Sequence, residues 1–111
     1  MTIHHVLAQA TVSDLDTAER WYSVLFERQP DARPMAGLIE WHLGDNFGVQ
    51  VWAEPERAGR STIVLGESDL DELVARLASA GVECRGPQQV TASRVLFLDD
   101  PDGNRVVITG E

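Results

Sequence analysis

Three histidines, one cysteine, three tryptophans and a scatter of amides carry what chemistry this 111-residue sequence offers beyond packing. In an extended strand, alternate residues share a face. If Val49 and Val51 pack against a helix, Gln50 and Trp52 face the other way. On the same rule His42 shares a face with Glu40, and Trp41 shares the opposite face with Ile39 and Leu43. His5, Leu7, Gln9 and Thr11 line one face of the first strand. Arg105, Val107 and Thr109 oppose Val106 and Ile108, which belong to a core. A surface built from Gln9, His42, Gln50, Trp52, Thr62 and Val107 combines one large aromatic with hydrogen-bonding groups, the composition of a ligand pocket. Trp52 can stack on a planar or cationic ligand. It can equally be a core or interface residue. Glu40 and His42 either line the pocket or stand in solvent.

Other chemistry is missing. His4 and His5 are neighbours, so within one strand they point to opposite faces and do not chelate. Cys84 has no base near it in sequence and reads as a structural thiol. Arg94 reads as the partner of a surface acid. There is no nucleophile–base pair, phosphate loop or basic patch.

Bulk properties narrow the class. Hydrophobic residues make up 43% and charged residues 24%, as expected of a globular chain of one domain, 1–111. A net charge of −9 argues against nucleic acid, which requires basic residues, and against anionic lipid. It suits a cationic ligand. All nine basic residues are Arg, which fits a bacterial GC-rich genome. No apolar run reaches the roughly 20 residues of a membrane span. The first residues lack a signal-peptide pattern. With one cysteine and no disulfide to make, a cytoplasmic location is expected.

The elements that must position these side chains follow from an internal repeat. Ser-Asp-Leu-Asp occurs at Ser13–Asp16 and again 55 residues later at Ser68–Asp71. Each copy opens a stretch with apolar residues at helical spacing, Leu15–Arg28 and Leu70–Gly81. Ser13 and Ser68 stand where a side chain can cap, with early acids suiting the dipole, and Gly81 is placed to end the second helix. Alternating strands precede the helices at Ile3–Val12 and Thr62–Gly66. Hairpins follow them. Leu38–Leu43 and Val49–Ala53 flank Gly44-Asp45-Asn46, and Arg94–Asp99 and Arg105–Thr109 flank Asp100-Pro101-Asp102-Gly103-Asn104. Short extra strands are expected near Asp31–Met35 and Val82–Arg85. Glu54–Ser61 reads as a linker between modules 1–56 and 61–111. Each half is too small to be comfortable alone, so the two should share a core.

Two segments carry a resemblance. "VSDLDTAERWYSVL" after a first strand and "FLDDPDGNRVVI" before a last one resemble the glyoxalase, bleomycin-resistance and extradiol-dioxygenase superfamily, also called vicinal oxygen chelate. The resemblance implies an α+β fold of two tandem βαβββ modules. They would form a curved mixed sheet with a concave ligand cleft and helices on its outer face. It also implies a divalent metal in the active members, held from four strands. Carried over by position, those ligands fall on Leu7, Gln50, Thr62 and Val107. His5 lies on the face of Leu7 but about 7 Å along the strand. Leu, Thr and Val are not ligands for a divalent ion, which takes imidazole, carboxylate or thiolate.

The expected cofactor is therefore none, and the expected catalytic residues are none. The branch implied is the drug-binding one, in which a small organic ligand, such as a cationic, planar antibiotic, is sequestered. The resemblance further implies a homodimer, which exchange of modules between protomers can build. Two alternatives stay open. One is a lyase or dioxygenase-like enzyme using His5, His42 or Gln50 in an unusual register. The other is a structural or interaction domain.

Overall fold

The computed structural model describes residues 1–90 and 92–110. Within them the chain folds as two tandem βαβββ modules of the α+β class. The first runs β1 (Val6–Val12), α1 (Leu15–Phe26), β2 (Ala32–Met35), β3 (Leu38–His42) and β4 (Phe47–Ala53). The second runs β5 (Thr62–Glu67), α2 (Leu70–Ser79), β6 (Arg85–Val90), β7 (Ser93–Asp99) and β8 (Arg105–Gly110). The expected mixed sheet comes as two four-stranded sheets of the same order, β1-β4-β3-β2 and β5-β8-β7-β6. In each, the strand before the helix pairs in parallel with the last strand of its module. The other pairs are antiparallel. Among the described residues, no helix is long and apolar enough to cross a membrane.

The helix caps sit one residue later than expected. Asp14, not Ser13, accepts from the backbone N–H of Asp16, and Asp69, not Ser68, accepts from that of Glu72. In both helices the aspartate carboxylate accepts from an orphan donor of the first turn, Asp14 from extended backbone. Gly81 does take the left-handed conformation after α2, at φ +78°. The Val82 N–H then closes onto the Leu77 carbonyl, 2.9 Å away. Residues 82–84 are thus used to leave the helix, and β6 starts at Arg85 rather than at Val82. β1 also starts later than its alternation implies. Its partner β4 begins at Phe47, opposite Val6, so Ile3–His5 overhang the sheet.

One hydrophobic core draws on both modules. Ala10, Val12, Tyr22, Ile39, Trp41, Val49 and Val51 come from the first, and Ile63, Leu70, Leu77, Leu96, Leu98, Val106 and Ile108 from the second. Trp41 is fully buried, as its shared face with Ile39 implies, and its indole N–H donates to the Arg28 carbonyl. Tyr22 and Phe26 of α1 pack against it at ring separations of 6.0 and 5.4 Å.

The Asp100–Asn104 turn does more than reverse the chain. Asp100 is 4% exposed, and its carboxylate accepts four hydrogen bonds. They come from the Tyr22 hydroxyl, the Asn104 side chain, and the backbone N–H groups of Asp102 and Asn104. Asn104 donates to the Thr11 carbonyl and accepts from the Ser61 N–H. Asp102 accepts from the Ser13 hydroxyl and N–H. One turn of the second module therefore satisfies polar groups of the first, which an apolar core alone would leave costly.

Candidate functional site

Strand alternation divides each sheet into a face covered by its helix and an open face. On the open face of the first sheet, the register Gln9↔Gln50↔Glu40 places three polar side chains on one rung. They are joined in series. Gln9 Nε2 donates to Gln50 Oε1 at 3.0 Å, and Gln50 Nε2 donates to Glu40 Oε2 at 2.5 Å. His42, two residues along β3, gives its Nε2–H to Glu40 Oε1 at 3.0 Å. Both carboxylate oxygens are occupied, and the Glu40 side chain is only 13% exposed. The His42 and Gln50 hydrogen bonds hold its carboxyl below the usual glutamate range. Asp31 fixes His42 from behind by accepting its backbone N–H at 2.7 Å.

Trp52 stands on the next rung of that face, with Thr11 and Leu38 as neighbours. It is half-buried, and its indole N–H reaches Glu54 Oε2 at 3.3 Å. His5, Leu7, Glu40, His42, Gly44, Asp45 and Phe47 line a depression of about 340 Å³ at one end of the row. His4 and His5 do not point apart here. Their rings lie 5.1 Å apart, because both residues precede the strand and escape its alternation.

Thr62 and Val107 belong to the open face of the second sheet. There the matching rung is Val64↔Val107↔Phe97. These three positions repeat Gln9, Gln50 and Glu40 with every polar group replaced by an apolar one. Arg85 on β6 lies 5.7 Å from the Phe97 ring centre and 3.4 Å from Asp99. The two open faces are thus built alike in backbone and opposite in chemistry, one hydrogen-bonding and anionic, the other apolar with a cation at its edge. Phe97 and Arg85 are not among the residues that sequence singles out, and Glu40 enters there only as the same-face partner of His42, in the pocket or in solvent. Their partners are 10 to 12 positions away in the chain, and only strand register brings them together. Arg94 pairs with Asp71 at 2.9 and 3.1 Å.

The positions that would hold a metal do not fit one. Leu7 and Val107 offer no donor atom, and Thr62 offers a hydroxyl. Gln50 offers an amide whose oxygen and nitrogen are both engaged within the row. Among the described residues, no three His, Cys, Asp or Glu side chains gather as a metal site would require. A roomier hollow, about 470 Å³, lies toward the helices between the end of α1, β5 and α2. It is walled by core-edge residues such as Leu25, Phe26, Leu65 and Leu73. Its cation, Arg76, is spent on the last carbonyls of α1, those of Val24 and Leu25.

Comparison with known proteins agrees with the fold. A glyoxalase/bleomycin resistance protein of Catenulispora acidiphila is 25% identical, with a TM-score of 0.89 over 96% of this chain and 97% of that one. TnmS3, an antibiotic binding protein from a Streptomyces species, is 26% identical, with a TM-score of 0.85 over 99% and 98%. A bleomycin-binding protein in complex with bleomycin shares the fold at 21% identity, with a TM-score of 0.80 over 96% and 98%. No curated protein sequence matches significantly. The sequence profile of one family matches residues 24–108. With that match, two βαβββ modules and the Asp100–Asn104 turn between the last strands, the chain belongs to the glyoxalase/bleomycin resistance protein/dioxygenase superfamily.

Proposed function

We propose that this protein binds a small organic ligand on its open face and sequesters it, without a metal and without transforming it. The observation that carries this reading is the joined row Gln9–Gln50–Glu40–His42 with Trp52 on the adjacent rung. A planar ligand stacks on Trp52 and meets hydrogen-bonding groups at its edge. A cationic one gains from the Glu40 carboxylate and from the net charge of −9. Leu7, Thr62 and Val107 support metal independence, because the positions that would carry ligands do not. Thr62 and Val107, with Val64 and Phe97, supply an apolar wall from the second sheet. The 26% identity to a protein described as antibiotic-binding supports an antibiotic as the ligand class.

We further propose that the protein acts as a cytoplasmic homodimer, in which the hydrogen-bonding face of one copy meets the apolar face of the other. Exchange of modules is one way to build it. Val64, 63% exposed on the second sheet's open face, supports an apolar surface that a second copy covers. Light scattering at twice the 12.2 kDa chain mass is the expected result, and a monomer at all concentrations refutes it.

The ligand test uses metal-free bleomycin and ethidium as probes. Tryptophan fluorescence is expected to fall on titration, to fall equally in chelator, and to lose most of its response in Trp52→Ala. An unchanged response in Trp52→Ala overturns the site. Binding that requires a stoichiometric ion overturns the metal-free reading.

A further inference from the structure

The row on the first open face has a direction, and the direction is imposed from one end. An ionised carboxylate has no hydrogen to give, so whatever touches Glu40 must donate. Gln50 therefore turns its NH2 to Glu40 Oε2. Its carbonyl then points the other way, toward β1, where it needs a donor. Gln9 answers with its own NH2 at 3.0 Å. The Gln9 carbonyl oxygen is left at the end of the series, on an exposed side chain. No donor among the described residues reaches it. His42 obeys the same constraint on the other side of Glu40 by donating from Nε2. Either amide alone could be turned over at little cost, since its oxygen and nitrogen have nearly the same shape. Joined to a carboxylate, neither can turn without setting two acceptors against each other.

We propose that Glu40 polarises this row so that its free end is an acceptor, and that the open face thereby selects planar ligands carrying an N–H or O–H donor over isosteres that lack one. The selection rests on the open face being the ligand site, as proposed above. Glu40 is a positioning residue here, because it acts through Gln50 and Gln9. The second module supplies an internal contrast. Its equivalent rung, Val64–Val107–Phe97, holds no group that could read a donor. Donor selection therefore belongs to the first module alone.

Two measurements test this. The first needs no ligand. In a 15N spectrum, the side-chain NH2 signals of Gln50 and Gln9 are expected to sit away from those of free glutamine. In Glu40→Gln both are expected to shift, although of the two glutamines residue 40 touches only Gln50. A shift at Gln50 with none at Gln9 overturns the relay. The second uses indole and benzofuran, neutral planar isosteres that differ by one N–H. Indole is expected to perturb Gln9 and Trp52 and to bind about five- to tenfold more tightly, the worth of one ordinary hydrogen bond. In Glu40→Gln, and in Gln9→Met, which keeps the Gln50–Glu40 contact, the ratio is expected to fall to about one. Equal binding of both fragments at Gln9 and Trp52 in the natural protein leaves the ligand site standing and overturns donor selection. Binding of neither fragment overturns both.

Discussion

Removing a single oxygen, in Tyr22→Phe, probes the joint between the two modules. The ring stays in place against Trp41 and Phe26, so packing is preserved. What is lost is the 2.7 Å hydrogen bond from the hydroxyl to Asp100 Oδ2. Burial, with the Asp100 carboxylate beside it, pushes the Tyr22 phenol above its usual range, so at neutral pH it stays protonated and donates. Hydrogen bonds to charged groups contribute about 1.5–3 kcal/mol. Asp100 keeps three other donors, so we place the cost in the lower half of that range, about 1.5–2 kcal/mol. For 111 residues the unfolding entropy near Tm is about 0.23 kcal/mol/K, which converts the loss to a Tm drop of about 6–9 °C. Urea denaturation and calorimetry read both quantities. A cycle with Asp100→Asn should show coupling of about 1 kcal/mol or more, since the two groups touch. A drop under about 0.5 kcal/mol, or singles that simply add, would refute a joint that depends on this bond.

Other perturbations follow from the same geometry. Trp41→Ala deletes a fully buried indole and its hydrogen bond to Arg28, and about 3–5 kcal/mol should be lost in a denaturant titration. Gly48→Ala would put a methyl carbon 2.3 Å from the Trp41 carbonyl oxygen on the neighbouring strand. Backbone cannot yield there cheaply, so we expect a loss of about 1–3 kcal/mol and a disturbed β3–β4 amide spectrum; an unperturbed spectrum would contradict the register. Glu19, paired with Arg33, and Glu40, bonded to His42 and Gln50, both titrate below the usual glutamate range. A carboxyl lowered on folding adds stability that is complete above its unfolded pKa, near 4.3, and is lost as pH falls through the folded value. Tm should therefore fall below about pH 4.5, and Glu19→Gln should flatten part of that slope.

Much of the fold is legible in the chain because it depends on short-range patterns. The repeated Ser-Asp-Leu-Asp, helical spacing after it and Gly at 44, 81 and 103 mark where elements begin and end. The core faces of β3, β4 and β8 follow from alternation, and Ile39, Trp41, Val49, Val51, Val106 and Ile108 are all buried. β6 is missed in place because Arg-Gly-Pro-Gln-Gln-Val carries no alternation and lies exposed along most of its length. β1 is overlong in sequence because a strand ends where its partner ends, and Phe47 is too far away in the chain to show that.

The site divides in the same way. Sequence alone determines which face Gln9, Gln50, Trp52, Thr62 and Val107 take, because side-chain direction in a strand is a local property. The family resemblance, read from the same sequence, implies that Leu7, Thr62 and Val107 stand where active members carry metal ligands. Only the tertiary structure decides that Gln9, Gln50 and Glu40 share one rung, that His42 caps Glu40, and that the matching rung of the second module is apolar. It alone decides that Asp100 and Asn104 fasten one module to the other. The reason is register. Which residues of distant strands stand opposite one another is set by how all eight strands and both helices close around a common core, and no stretch of the chain contains that information by itself.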